Sequence, residues 1–213
     1  MRTDDLVALL AAGVEPVDPH AAVRRYASAL GLGTCVAILL MATLLGVRAD
    51  LADTLRLPMF WVKIAFVASL VAASLVAALR LSRPGVQLAW VPGALAAPVL
   101  VMWLLAALAL AGADPARRAE LFFGQTWTSC PLLVAMLSAP VFAGVLWTMK
   151  GLAPTRLRLA GAAAGLLSGA IGALVYSLHC PELAAPFLGF WYLLGMLIPT
   201  VAGALLGPRV LRW

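Results

Sequence analysis

Six long apolar runs, separated by short polar intervals, organise this chain. They cover about residues 26–46, 61–79, 88–111, 131–149, 157–178 and 186–206. Each is close to the ~20 residues a helix needs to cross the hydrocarbon core of a bilayer. The runs are too long and too uniformly apolar for barrel strands, which alternate polar and apolar residues over about ten positions. Helices and closed barrels are the two structures that satisfy every backbone polar group inside lipid. The pattern therefore predicts an all-α, polytopic membrane protein with six transmembrane helices. Intervals at about 47–60, 80–87, 112–130, 150–156 and 179–185 are short. Such lengths favour antiparallel neighbours and leave no room for a soluble catalytic domain. The expected organisation is an N-terminal segment over 1–25, a six-helix domain over 26–206 and a tail over 207–213.

Finer patterns modify this picture. Gly161, Gly165 and Gly169 recur every four residues in the fifth run, with Gly172 one turn on, and Gly203 and Gly207 echo them in the sixth. Small residues at this spacing let helix backbones approach closely, and the expected use is packing within the bundle. Pro98, Pro140 and Pro199 are placed to kink their helices. Ahead of the first run, residues 3–12 read as a short helix, capped by Thr3, with Asp4 and Asp5 at the positive end of its dipole and Gly13 at its end. Leu6, Leu9, Leu10 and Val7 give it an apolar stripe. Ten residues make a marginal helix in water, so the stripe needs a surface to rest on. Its acidic start suits a protein groove better than a lipid surface. Glu15 to Pro19 read as an extended linker.

Composition agrees with the membrane assignment: 64% of residues are hydrophobic and 11% charged, with a mean hydropathy of +1.02, against about a quarter charged in soluble domains. The net charge of +6 is distributed unevenly. Arg2, Arg24, Arg25, Arg80, Arg83, Lys150, Arg156, Arg158, Arg209 and Arg212 fall on one side of the predicted bundle. Arg48, Arg56, Arg117 and Arg118 fall on the other, offset by Asp50, Asp53, Asp114, Glu120 and Glu182, with Lys63 placed to snorkel towards that surface. Basic loops face the cytoplasm, so both termini are expected there, and the charge is a topology signal rather than a nucleic-acid patch. The acidic, h-region-free first 25 residues do not read as a signal peptide, and Arg24-Arg25 reads as the cytoplasmic stop of the first span. Trp61, Trp127 and Tyr176 mark one interface; Tyr26, Trp90, Trp147 and Trp213 mark the other.

The candidate chemistry lies in two dipeptides, Cys130-Pro131 and Cys180-Pro181, each at the start of an apolar run on the non-cytoplasmic side. Proline suits the first helical turn, which would place each cysteine at an N-cap, where the helix dipole favours the thiolate. His179 precedes Cys180 and could take its proton or supply a metal nitrogen. Cys130, Cys180 and His179 lack an evident fourth ligand, so no firm metal site follows and no cofactor is expected. Cys35, about ten residues into the first run, reads as an inert thiol of the core. From the residues alone a redox switch, a permanent disulfide and a metal clip all remain open. With no C-x-x-C present, a thiol redox enzyme coupled to quinone is disfavoured, and the chain is not expected to be an enzyme. A transporter or channel is disfavoured too. The spans carry no mid-depth carboxylate or histidine, and Ser69, Ser74, Ser138 and Ser168 are expected to bond their own helix backbones.

Five stretches carry a resemblance along essentially the whole chain: Thr3-Asp-Asp-Leu6, Gln125-Thr-Trp-x-Ser-Cys-Pro131, Leu152-Ala-Pro-Thr-Arg156, His179-Cys-Pro-Glu-Leu-Ala-Ala-Pro-Phe187 and Trp191-Tyr-x-x-Gly-Met196. In these the chain resembles the NrsF-type membrane anti-sigma factors of proteobacteria. The resemblance implies a multi-pass protein of the bacterial inner membrane whose cytoplasmic N-terminal segment, around Asp4, Asp5, Leu6, Leu9 and Leu10, holds an extracytoplasmic-function (ECF) sigma factor inactive. It further implies that Cys130 and Cys180, with His179, Pro131 and Pro181 beside them, sense oxidants or thiol-reactive metals. The partners so implied are a sigma factor and the lipid bilayer, with no direct contact to nucleic acid. Neither the sigma factor's identity nor the oligomeric state is encoded in these motifs.

Overall fold

The computed structural model describes residues 3–12 and 21–212. Six helices in it are long and apolar enough to cross a membrane: span one Ala22–Leu45, span two Pro58–Leu81, span three Val91–Gly112, span four Cys130–Lys150, span five Leu157–Tyr176 and span six Ala185–Val210. They run alternately up and down, so the start of span one and the end of span six share one end of the bundle. That end also carries the concentration of basic residues, from Arg24 and Arg25 to Arg209 and Arg212. Arg2 and Trp213 lie outside the described residues.

Span five is the centre. Of its most apolar window 78% is buried, against 11% for span three, and it packs on spans two, four and six. Glycine explains this position. A Cβ on Gly161 would strike the carbonyl of Gly203, and one on Gly165 would strike that of Pro199. On Gly169 it would lie 2.9 Å from the Met196 Cα. From the opposite helix Gly203 meets Gly161, and Gly207 meets Leu157. Gly172 turns to span four, where a Cβ would stand 2.8 Å from the Val134 carbonyl oxygen. The glycine ridges thus join spans of the same chain.

Two apolar clusters fill the interior, one towards each end. Tyr26, Leu81, Val91, Met149 and Ala160 belong to the terminal end, and Met41, Phe66, Met102, Tyr176 and Met196 to the other. Spans one and six each contain a π-helical turn, Met41–Leu45 and Leu188–Tyr192. Single π turns recur at functional sites, and both lie near the end opposite the termini. Pro98, Pro140 and Pro199 lie inside their helices, joined by Pro208. The serines behave as expected: Ser74 donates to the Leu70 carbonyl at 2.6 Å and Ser168 to that of Ala164 at 2.7 Å.

Several expectations are corrected. Tyr26 and Tyr176 are core residues rather than interface markers, 3% and 1% exposed; the Tyr26 hydroxyl is 2.7 Å from that of Ser82. Cys35 is exposed on the face of span one instead of buried. The interval after span three contains a helix, Pro115–Phe123, started by Asp114-Pro115 and ended at Gly124. The N-terminal helix covers Thr3–Ala11, so Thr3 lies within its first turn instead of capping it. Asp4 and Asp5 are in that turn, and Leu6 and Val7 are exposed. The side chains of Leu9 and Leu10, the expected stop at Gly13 and the linker at 15–19 lie outside the described residues.

Candidate functional site

The two Cys-Pro segments meet at the end of the bundle opposite the termini. Cys130 is the first residue of span four, following Ser129, and Pro131 takes the second position. The Cys130 N–H donates to the Thr126 carbonyl at 2.8 Å. Ser129 is therefore the N-cap of span four, and Cys130 lies one residue inside the place expected for it; Cys180 departs further from expectation. Its N–H closes a turn onto the Tyr176 carbonyl at 3.0 Å, at the end of span five, and the chain stays extended until span six begins at Ala185. Proline suits the first turn of a helix, and here Pro186 rather than Pro181 fills that place. Cys180 is therefore no N-cap, and no helix dipole acts on it from span six.

Both cysteines are free thiols and fully buried, at 0% exposure. The two thiols lie close enough together to interact. A second connection runs between the two segments. The Gln125 N–H donates to Glu182 Oε1 at 2.7 Å. Gly124, at φ +57°, allows this approach: a Cβ there would lie 2.6 Å from the Glu182 carboxyl carbon.

Charge is supplied from elsewhere in the fold. Lys63 of span two does not snorkel; it is 0% exposed. Its ammonium donates to the carbonyls of Cys180 at 3.2 Å and Glu182 at 3.1 Å, and lies 4.8 Å from the centroid of the Tyr192 ring. Arg48, just beyond span one, donates from Nη1 to the same Cys180 carbonyl at 3.2 Å. Its other face grips Asp50 through two 2.7 Å bonds, which hold the Asp50 carboxyl below its usual range. The Tyr192 hydroxyl is buried beside the Cys180 sulfur without a hydrogen bond of good geometry, as is the Thr126 hydroxyl near Tyr176. These surroundings hold the Cys180 thiol below its ordinary pKa. The hydrogen bond from Cys130 acts first, against the effect of burial, and the Lys63 ammonium and the Glu182 N–H assist.

His179 is turned away from the sulfurs: its Nδ1 lies 2.9 Å from the Gly46 carbonyl oxygen, and its ring lies against Tyr176. Among the described residues no three metal-ligating side chains converge, so the Cys130/Cys180/His179 set weighed from sequence is not assembled. The site is a dithiol with one activated sulfur, next to a buried cation. Sequence reasoning missed Lys63 and Arg48 as members. The signal for Lys63 was available, because a lone lysine inside an apolar span is a functional candidate by default.

Known proteins resemble the chain along its length. It matches the family described as NrsF, negative regulator of sigma F, over residues 10–213. It is 62% identical over 213 residues to a probable anti-sigma-F factor NrsF of Azospira oryzae, and 41% identical over 221 residues to the anti-sigma-F factor NrsF of Caulobacter vibrioides, with all of each chain covered in both cases. No solved structure matches it. The chain belongs to the NrsF family of anti-sigma factors, which are regulators rather than enzymes.

Proposed function

We propose that this protein holds a sigma factor of the ECF class at the bacterial inner membrane through its cytoplasmic N-terminal segment, and releases it when Cys130 and Cys180 are oxidised to a disulfide. The basic residues gathered at the terminal end support an orientation with both termini in the cytoplasm and the thiols on the opposite, oxidising side. Asp4, Asp5, Leu6, Leu9 and Leu10 are the residues proposed to meet the sigma factor, with the leucine stripe entering an apolar groove.

One observation carries the reading: the cysteine loop is tied directly to the end of span one. The His179 ring nitrogen meets the Gly46 carbonyl at 2.9 Å, the Arg48 N–H donates to Leu178 at 3.2 Å, and the Arg48 guanidinium donates to Cys180 at 3.2 Å. Span one leads from there, through its π turn, to the chain end that carries the N-terminal segment. In the oxidation the Cys180 thiolate attacks a peroxide-type oxidant, giving a sulfenic acid and releasing water or an alcohol. The Cys130 thiol then displaces water from that sulfenic acid, closing the disulfide; the pair gives up two electrons and two protons overall. Drawing the sulfurs to the ~2.05 Å of an S–S bond moves the loop against Gly46 and Arg48. The π turn is the element placed to change state. Capture of a thiophilic metal ion would use the same sulfurs, but the engagement of His179 by Gly46 favours oxidation.

The test is co-fractionation of the cognate sigma factor with membranes containing the wild-type protein or a Leu6→Asp/Leu9→Asp variant. Retention by the wild type and loss by a variant present at equal level is the expected result. A sigma factor that stays soluble beside the folded wild-type protein would overturn the proposal.

A further inference from the structure

Spans one and four leave a groove of about 760 Å³ between them at the terminal end of the bundle. Its lining changes in character along its length. Arg25 and Lys150 stand at the mouth, and Val36 and Trp147 are among the apolar walls. Gly33 and Gly144 form the floor and bring the two helices together: a Cβ on Gly33 would lie 2.7 Å from the Val141 Cα, and one on Gly144 3.3 Å from the Ala29 Cβ. The Arg25 guanidinium lies over the last turn of span four, 2.8 Å from where a Cβ of Gly151 would stand.

Length and charge identify an occupant. From Arg25 to Val36 the helix rises about 16 Å at ~1.5 Å per residue, close to half of the ~30 Å hydrocarbon core. The groove therefore runs through one leaflet, with two cations where head groups lie and apolar walls where an acyl chain lies. Basic pockets between transmembrane helices suit anionic head groups. We propose that the groove seats one anionic phospholipid, with its phosphate on Arg25 and Lys150 and an acyl chain along the floor between Gly33 and Gly144. This site is separate from the thiol pair and does not depend on the sensing mechanism.

Trp147 provides a local reporter, since it is 83% exposed and lines the groove. Full-length protein would be placed in phosphatidylcholine bilayers doped with a few mole per cent of brominated phosphatidylglycerol, a quencher of tryptophan fluorescence. The Trp147 signal is the difference between wild type and Trp147→Phe. Quenching several-fold above that expected from the bulk lipid fraction is the predicted result, falling to the bulk value in Arg25→Gln/Lys150→Gln. The same selectivity should weaken in the wild type as salt is raised, which tests the cations without substitution. Quenching at the bulk value in the wild type would overturn the site; it is the result expected if another copy or a segment of this chain fills the groove. Equal enrichment of brominated phosphatidylcholine, or enrichment insensitive to both salt and the double substitution, would also overturn it.

Discussion

Replacing Lys63 with methionine should slow the reaction of Cys180 at a pH below its folded pKa while leaving the fold intact. Lys63 makes two hydrogen bonds, to the carbonyls of Cys180 and Glu182. Arg48 also donates to the Cys180 carbonyl, so among these contacts only the Glu182 carbonyl loses a donor, at about 1–3 kcal/mol. Removing a buried ammonium recovers part of that through its desolvation. The effect on the thiol is larger in proportion. Cys180 is held below its ordinary pKa first by the Cys130 hydrogen bond, which remains, and then by the Lys63 charge, which is lost. An opposite charge at close range lowers a pKa by about 1–3. A rise of about 2 would cut the thiolate fraction about a hundredfold at a pH below both values. Thiolate nucleophilicity rises with pKa at a slope of about 0.5, so the net slowing is about tenfold. The assay is alkylation of reduced protein in lipid nanodiscs with a small neutral reagent, followed by mass spectrometry of each cysteine peptide across a pH series. The Cys180 midpoint should move to higher pH in Lys63→Met. Coincident Cys180 midpoints in the two proteins would refute the electrostatic reasoning.

Three further outcomes follow from the packing. Gly165→Leu drives a side chain into the backbone at Pro199 and Thr200 and should destabilise the bundle by about 1–3 kcal/mol, whereas Gly31→Ala, inside span one with nothing within 4 Å of its Cβ, should not lower the unfolding temperature. Gly124→Ala places a Cβ both at positive φ and against the Glu182 carboxyl, and should cost about 1–3 kcal/mol in the same assay. Because the folded-state pKa of Cys180 lies below its unfolded value of about 8.5, the stability this ionisation contributes is fully present above that value and is lost as pH falls through the folded pKa. Under reducing conditions, the stability advantage of wild type over Cys180→Ser should therefore shrink on acidification; an advantage that grows would show the opposite sign.

Much of the fold was legible because a bilayer demands long apolar helices, and each of the six runs is one. Which face of each helix is buried was not legible from apolarity, because lipid is as apolar as a protein core. Span three is more apolar than span five and yet is the least buried of the six, while span five is the most buried. Cys35 failed for this reason: depth in the membrane did not specify a direction. Small residues were the better guide, and the spacing of Gly161, Gly165 and Gly169 marked the helix that spans four and six pack against. At the site, the two Cys-Pro dipeptides pointed to thiols that share one end of the bundle. Their local geometry was misjudged at Cys180, since two prolines within six residues competed for the first turn and Pro186 took it. Lys63 and Arg48 reach Cys180 across more than a hundred residues of sequence, a contact that only the packing of spans one, two and five creates.

The central claim is that closing the Cys130–Cys180 bond releases the sigma factor, and it can be measured in one titration. Protein reconstituted in nanodiscs with bound sigma factor is treated with increasing peroxide; the disulfide is mapped by mass spectrometry and the bound sigma factor counted in the same samples. Release that tracks disulfide formation in the wild type, and is absent from Cys180→Ser at the same doses, is the predicted result. A sigma factor that stays bound to wild-type protein whose disulfide has fully formed would contradict the account.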